Sequence, residues 1–235
     1  MPEFAEGIAA EAAPARVLGV LAGNDLPIER VAIWAFAADL VLAADGGANT
    51  LLRANIRPHV LVGDMDSATD SARDFAHRAE ADPDQETTDC DKLLALAFRL
   101  GARSITLAGV EGDRLDHVLA TIHSSARSPL RVQLLLRMGV GLVLNGPTQI
   151  EVPAQVGAKV SLLPVTDCEG VSLSGVEWPL QSAVLHPMGM SSISNRATEA
   201  VVRVGLGSGV AVLFVEQAPE TRPDWGAISQ FGPSR

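Results

Sequence analysis

The stretch Val60-Leu61-Val62-Gly63-Asp64-Met65-Asp66-Ser67 joins a short apolar run to two carboxylates separated by one residue. Such a run, ended by glycine and aspartate, is typical of a buried strand that leads into a turn. In open parallel sheets, ligands bind beyond the carboxyl ends of the strands. If the backbone stayed extended through Met65, Asp64 and Asp66 would project to the same side. They would then suit Mg²⁺, which prefers oxygen ligands; the alternative is an ordinary capped turn.

Other short apolar runs alternate with helix-compatible segments on both sides of this stretch. We predict strands at 16–22, 40–44, 59–62, 104–108 and 132–136, and helices at 48–54, 68–79, 88–100 and 115–126. Strands that alternate with helices indicate an α/β domain with a parallel sheet. We therefore expect a Rossmann-like α/β domain over residues 16–146, preceded by an irregular N-terminus at 1–15.

The character of the sequence changes after the turn-like Asn145-Gly146-Pro147. No helical period is sustained beyond it, and glycine, proline and serine separate short strands. These strands are predicted at 148–152, 159–163, 171–173, 200–204 and 210–215. We expect an all-β sandwich over residues 147–218 and an irregular tail over 219–235.

The composition argues against several classes of protein. The 235 residues include 28 Asp and Glu but only 18 Lys and Arg, and no basic cluster is present, so we expect no nucleic-acid partner. The longest apolar stretch, 31–44, is interrupted by Asp39, and we expect neither a signal peptide nor a membrane span. Cys90 and Cys168 are far apart and lack paired metal-ligand spacing, which favours a reducing cytoplasm.

A second polar cluster, Asp45-Gly46-Gly47-Ala48-Asn49, follows the predicted strand at 40–44. Paired glycines allow close backbone approach, and amide groups at a helix start can bind an anionic phosphate. The same residues are also common in ordinary loops. We therefore regard Asp45 and Gly46 as candidate nucleotide-binding residues.

A third cluster runs from Gln85 to Lys92 and opens a predicted helix. With Thr88 or Asp89 as the N-cap, Asp89 and Lys92 are three residues apart and close to one helix face. A carboxylate for metal and an ammonium for phosphate could therefore lie side by side. The alternative is a capped amphipathic helix with a surface ion pair.

A fourth cluster, 109–117, also follows a predicted strand and opens a helix. Arg114 can hold phosphate oxygens with two hydrogen bonds, and Asp116 could bind an amine or act on a hydroxyl. We interpret His117 as structural. The four clusters lie at the carboxyl ends of predicted strands, which favours chemistry on a magnesium-bound nucleotide. The phosphate-binding sequence Gly-x-x-x-x-Gly-Lys-Ser/Thr is absent, which argues against a P-loop kinase.

The order of the four motifs resembles that of the thiamine pyrophosphokinase family. The motifs are Asp-Gly-Gly-Ala-Asn at 45–49, Gly-Asp-Met-Asp-Ser at 63–67, Thr-Asp-x-x-Lys at 88–92 and Gly-x-Arg-Leu-Asp-His at 112–117. The resemblance extends over roughly residues 17–215. It implies transfer of the diphosphoryl group of ATP to the hydroxyl of thiamine, giving thiamine diphosphate and AMP. It also implies a homodimer whose active sites lie between subunits.

The resemblance assigns roles to the clustered residues. Mg²⁺ would be held by Asp64, Asp66 and Asp89. Lys92 and Arg114 would neutralise phosphate charge. Asp116 would position the substrate or accept a proton, and Asp45, Gly46 and Gln85 would complete the ATP site.

The resemblance also extends to a thiamine pocket in the β half. Trp178 corresponds to the tryptophan that lies against thiamine, and an exposed indole suits a cationic heteroaromatic ring; alternatively, Trp178 fills the sandwich core. Ser194 and Asn195 correspond to a pair near the thiamine pyrimidine. The sequence departs from the family pattern at Asp113, Ser192 and Arg196.

Three other functions remain open at this point. The chain could transfer a diphosphoryl group to another heterocyclic alcohol, such as a hydroxymethylpterin. It could bind thiamine or a nucleotide as a regulator without catalysis. It could also be a phosphohydrolase that uses the same carboxylates without an acceptor.

Overall fold

The computed structural model describes residues 14–23, 26–112, 114–218, 221 and 223–224. In chain order the elements are β1 (Val17–Val20), α1 (Ile28–Ala37), β2 (Leu40–Ala44), α2 (Gly47–Arg53), β3 (Val60–Gly63), α3 (Asp70–Phe75), β4 (Ala79–Ala81), α4 (Asp89–Arg99), β5 (Ser104–Ala108), α5 (Leu115–Arg127), β6 (Arg131–Leu136), β7 (Gly139–Asn145), β8 (Thr148–Pro153), β9 (Lys159–Pro164), β10 (Cys168–Ser174), β11 (Leu180–Leu185), β12 (Ser192–Arg196), β13 (Val201–Leu206) and β14 (Val210–Glu216). No helix among these residues has both the length and the apolar character needed to cross a membrane.

The larger sheet has ten strands in the order β12-β9-β14-β7-β6-β5-β1-β2-β3-β4. Neighbouring strands are parallel from β6 to β4 and antiparallel from β6 to β12. The chain builds β2, β3 and β4 on one side of β1 and then returns to place β5 on the other side. The direction of strand addition therefore reverses between β1 and β5, a position at which α/β proteins bind ligands.

Helix α4 packs closely over the parallel strands and carries two of the predicted site residues. Thr88 caps the helix: its Oγ1 accepts a hydrogen bond from the Asp91 amide, and the Asp91 carboxylate accepts one from the Thr88 amide. The helix buries an apolar face, and a Cβ atom at Gly19 of β1 would lie only 2.7 Å from Leu93 Cδ2. The glycine thus allows the close helix–strand contact that fixes the position of α4.

The smaller sheet has four antiparallel strands in the order β11-β10-β13-β8. Burial alternates along β8, so one of its faces is buried. Residues from this sheet, including Ile150 and Val171, belong to the same buried apolar cluster as Leu142 of β7 and Leu162 of β9. An α/β half is therefore followed by an antiparallel β half, and this order of the two halves confirms the prediction.

The division at residue 146 stays a prediction, because the ten-stranded sheet continues across it: β14, β9 and β12 extend the sheet to which β1 and β5 belong. The irregular ends predicted at 1–15 and 219–235 lie mainly outside the described residues. The helix predicted over 68–79 is shorter, Asp70–Phe75, since the chain enters β4 at Ala79.

Candidate active site

A cleft of about 440 Å³ lies where the strand order reverses. It is lined by residues 21–23, which follow β1, and by Gly109, Val110 and Gly112, which follow β5. The predicted site residues that line it are Asp64, Gln85, Asp89, Lys92 and Arg114. His117, which we interpreted as structural, lines it as well. The fold thus gathers side chains from three of the four sequence clusters.

Asp45, Asp64 and Asp66 form a group whose carboxylate oxygens lie within 4.8 Å of one another. The expected extended backbone is wrong here, because β3 ends at Gly63 and Met65 has a φ of 69°. A turn brings the carboxylates together instead: the Asp66 amide donates to Asp64 Oδ1 at 3.2 Å. Carboxylate oxygens are ligands that suit Mg²⁺.

Asp45 is buried below this turn and connects α2 to it. Its carboxylate accepts hydrogen bonds from the amides of Ser67, at 3.1 Å, and Ala68, at 2.8 Å. Burial raises the pKa of Asp45 to about 6, although the two amides oppose that change. The sequence placed Asp45 at the periphery of the ATP site, whereas the structure places it with Asp64 and Asp66.

Asn49, the third residue of α2, supports the same turn. Its Nδ2 donates to the Ser67 carbonyl at 2.8 Å, and its Oδ1 accepts from the Thr69 amide and hydroxyl at 3.0 and 2.9 Å. Asn49 belongs to the Asp45–Asn49 motif, in which only Asp45 and Gly46 were predicted to bind the nucleotide. The sequence feature that could have identified Asn49 is a carboxamide on the first turn of a helix that follows a strand end.

The glycines between Asp45 and Asn49 allow close packing at the floor of the site. A Cβ atom at Gly47 would lie 2.0 Å from the Val20 carbonyl oxygen, and one at Gly46 would lie 3.0 Å from Ala22 Cβ. Gly46 is not among the described residues that line the cleft. Its contact with phosphate stays a prediction.

Gln85 reaches the carboxylate turn from the loop between β4 and α4. Its Nε2 donates to Asp64 Oδ2 at 3.0 Å, and this hydrogen bond is the main reason why the pKa of Asp64 lies below its usual value. The loop is itself ordered by Asp84, whose carboxylate accepts from the Glu86 amide at 3.0 Å and the Thr87 hydroxyl at 2.8 Å. Asp84 also lines the cleft and was not selected from the sequence.

Asp89 and Lys92 enter the cleft from the first turn of α4. Burial, and then the charge of Asp64, raise the pKa of Asp89. Lys92 is buried, and its Nζ donates to the Asp82 carbonyl oxygen at 2.8 Å. The helix is capped as the alternative interpretation expected, but Lys92 does not form the surface ion pair that this interpretation required.

The predicted magnesium ligands were Asp64, Asp66 and Asp89. Among the described residues, the carboxylate group contains Asp45 as its third member and not Asp89. Asp89 still faces the same negative charge, since Asp64 and Asp66 both act on its pKa. Asp89 lines the cleft, and its role as a ligand stays a prediction.

Arg114 and Asp116 form an exposed ion pair at the start of α5. Arg114 Nη2 lies 2.6 Å from Asp116 Oδ2, and Nε donates to Oδ1 at 3.2 Å. This pairing lowers the pKa of Asp116 to about 2. A carboxylate of such low basicity is a poor proton acceptor. Asp113, a position at which the sequence departs from the family pattern, lies outside the described residues.

The residues predicted for a thiamine pocket lie apart from the described residues that line this cleft. Trp178 is 57% exposed, so the alternative that it fills the core is wrong. Ser194 is exposed, with a φ of 57°, whereas Asn195 is buried. Among the described residues, the exposed indole of Trp178 is therefore not part of the cleft of its own chain.

Comparison with known proteins assigns both halves of the chain. The family described as "Thiamin pyrophosphokinase, catalytic domain" matches residues 33–134. The family described as "Thiamin pyrophosphokinase, vitamin B1 binding domain" matches residues 147–211. A thiamine pyrophosphokinase of Arabidopsis thaliana is 27% identical over 216 residues, which cover 79% of this chain and 80% of that relative.

Solved structures share the fold. A thiamine pyrophosphokinase from Bacillus subtilis superimposes with a TM-score of 0.72 at 20% identity, covering 86% of this chain and 99% of its own. One from Candida albicans gives a TM-score of 0.73 at 16% identity, covering 86% of this chain and 88% of its own. At these identities the likeness shows the fold alone. The chemistry is indicated by the residues of the cleft.

Proposed function

Because the chain belongs to the thiamine pyrophosphokinase family, we propose that it transfers the diphosphoryl group of ATP to the hydroxyl of thiamine, giving thiamine diphosphate and AMP. The observation that carries this proposal is the cleft between β1 and β5, where carboxylates, a buried ammonium and a guanidinium converge. Such a set can bind a metal-bound triphosphate and stabilise charge on it.

In this reaction the thiamine oxygen attacks the β-phosphorus and its proton passes to water, while the bond from that phosphorus to the bridging oxygen breaks and AMP leaves with that oxygen. Lys92 and Arg114 would bind the phosphate oxygens. Lys92 is suited to this task because the Asp82 carbonyl holds its amine without neutralising it. The low pKa of Asp116 favours a role in positioning Arg114 and the substrate over proton acceptance.

The residues fit a bound Mg²⁺. Asp64 and Asp66 would supply ligands, with Asp45 or Asp89 as the third carboxylate. When bound, the ion would offset negative charge on the phosphate oxygens. Gln85 donates a hydrogen bond to Asp64 Oδ2, whereas Asp64 Oδ1 faces the turn.

We further propose a homodimer in which each active site uses both chains. Trp178 is exposed but lies outside the cleft of its own chain. A two-fold interface would let the β half of one protomer, residues 147–218, present its indole to the α/β half of the other, residues 16–146. As part of this proposal, the first half is a Rossmann-like domain and the second half is a β-sandwich. A reducing cytoplasm suits the free Cys90 and Cys168.

The test is to incubate the protein with ATP and Mg²⁺ and with thiamine or a hydroxymethylpterin, and to identify the products by mass. Thiamine diphosphate with equimolar AMP supports the proposal. A pterin diphosphate without thiamine diphosphate would indicate the other acceptor class. Phosphate release that is independent of any acceptor would indicate a hydrolase, and no turnover at all would indicate a binding protein.

A further inference from the structure

The side chain of Asn195, in β12, is 1% exposed and bonded to the segment that carries Trp178. Its Oδ1 accepts from the Trp178 amide at 3.1 Å and the Arg196 amide at 2.9 Å. Its Nδ2 donates to the Trp178 carbonyl at 2.7 Å and to Ser192 Oγ at 3.4 Å. A carboxamide offers two donors and two acceptor lone pairs. Every polar group of Asn195 is therefore engaged within its own chain.

The backbone explains why this side chain turns inward. The pairing of β12 with β9 is irregular between Ser192 and Asn195, and Ser194 adopts a φ of 57°. The Ser194 amide is held by Ser161 Oγ at 3.0 Å. Ser194 and Arg196 are exposed, whereas Asn195 between them is buried.

The Trp178 segment is paired to β12 by its backbone only as far as Glu177. An isolated bridge joins Val176 to Ala197, and the Glu177 amide donates to the Arg196 carbonyl at 2.9 Å. At Trp178 the Asn195 carboxamide takes over, bonding both the amide and the carbonyl. The exposed indole thus projects from a backbone that is fixed on both sides of its Cα atom.

We propose that Asn195 is a positioning residue for thiamine binding, which acts through Trp178 and does not itself contact the substrate. This inference rests on the proposed function, in which Trp178 stacks on thiamine. Holding the indole before the substrate arrives reduces the ordering cost of binding. Loss of Asn195 then weakens thiamine binding and leaves ATP binding unchanged.

The kinetic test combines Asn195→Ala with Trp178→Ala. Each single variant should raise the KM for thiamine by about three- to tenfold, as expected for loss of a stacked aromatic, and change the KM for ATP by less than about twofold. Added to Trp178→Ala, Asn195→Ala should have less than about a twofold further effect, because it acts through the missing indole. Effects that multiply in full would show that Asn195 contacts thiamine directly, and would overturn the inference.

A second readout does not depend on turnover. The chain has three tryptophans, and fluorotryptophan incorporation with Trp178→Phe identifies the Trp178 signal in fluorine NMR. Asn195→Ala should shift or broaden that signal alone, and Asn195→Ser serves if the alanine variant does not fold. Gln149→Ala, which removes an exposed carboxamide from β8, is the matched control and should leave the signal in place.

The two readouts separate this inference from the function on which it rests. If Trp178→Ala leaves the KM for thiamine unchanged, the proposed acceptor pocket is wrong, and the fluorine signal alone decides what Asn195 does. A Trp178 signal that is identical in folded wild-type and Asn195→Ala protein would overturn the positioning role.

Discussion

The Nζ atom of Lys92 lies 2.8 Å from the carbonyl oxygen of Asp82, and the Asp82 amide in turn binds the Gly63 carbonyl at 2.7 Å. The Lys92 ammonium is thus connected, through Asp82, to Gly63, the residue at which β3 ends. This relationship couples the position of the positive charge to that of the Asp64 and Asp66 carboxylates, which follow Gly63. The bond to a neutral carbonyl holds the amine in place while its charge stays available to phosphate.

Replacing Lys92 by methionine should lower kcat by at least about a hundredfold, because the apolar length is kept while a charge-stabilising group is lost. Steady-state kinetics with ATP and thiamine measure the effect. Arg99→Met, at the exposed far end of the same helix, is the control and should change kcat by less than about twofold. A decrease of under about threefold for Lys92→Met would favour a purely structural lysine.

Magnesium affinity should rise as the pH increases through about 6, because burial raises the pKa of Asp45 to about 6. A carboxyl whose pKa is raised in the folded protein stabilises the fold most fully below its unfolded pKa of about 4, and this contribution is lost as the pH rises towards 6. Metal requires the ionised form. The increase in Tm on adding Mg²⁺ should therefore be larger at about pH 7.5 than at about pH 5.

The control for this measurement is K⁺ at equal ionic strength, which should raise Tm little at either pH. An equal Mg²⁺-dependent increase in Tm at both pH values would contradict a role for Asp45 beside the metal.

Gly47→Ala should destabilise the protein by about 3 kcal/mol or more, because the added methyl group would lie 2.0 Å from the Val20 carbonyl oxygen and neither backbone can move freely. Denaturant unfolding measures the change. Gly112→Ala is the matched control, since its Cβ would meet backbone only at ordinary contact distances. Equal stability of the two variants would show that the close approach of α2 to β1 is not required.

Mixing Trp178→Ala with Asp66→Asn under subunit exchange should restore activity if each site uses both chains. One of the two sites in the heterodimer would then combine an intact carboxylate turn with an intact indole. Activity is measured at a thiamine concentration at which each variant alone is nearly inactive. No recovery in verified heterodimers, or a fully active monomer, would rule out the shared site.

The strands that position the cleft follow from local sequence. Leu40–Ala44 and Ser104–Ala108 have the predicted bounds because short β-branched and leucine-rich runs end at polar turns. Five of the cleft residues were predicted, because they lie in polar motifs beside strand ends or helix starts: Asp64, Gln85, Asp89, Lys92 and Arg114. The position of Asp45 beside the Asp64 and Asp66 carboxylates was not predicted. It depends on left-handed backbone at Asp45, with a φ of 34°, and at Met65.

Elements without a clear period were missed. The helix Ile28–Ala37 was not predicted, because apolar residues occur on all of its faces. Its buried face, which includes Arg30 and Trp34, is seen only in the structure. Ser192–Arg196 is polar and forms a strand through its pairing with β9. The burial of Asn195 follows from that pairing, so its bond to Trp178 could not be read from the local sequence.

The central claim is that this cleft transfers the diphosphoryl group of ATP to thiamine. Phosphorus NMR of a reaction containing ATP whose β-phosphate carries a heavy oxygen isotope tests it most directly, with wild-type protein and with the nearly isosteric Asp66→Asn. We predict that the label moves into thiamine diphosphate as AMP forms in equal amount, and that folded Asp66→Asn protein transfers none. Label that remains in ADP or appears in free phosphate, or transfer by Asp66→Asn at near wild-type rate, would contradict the account.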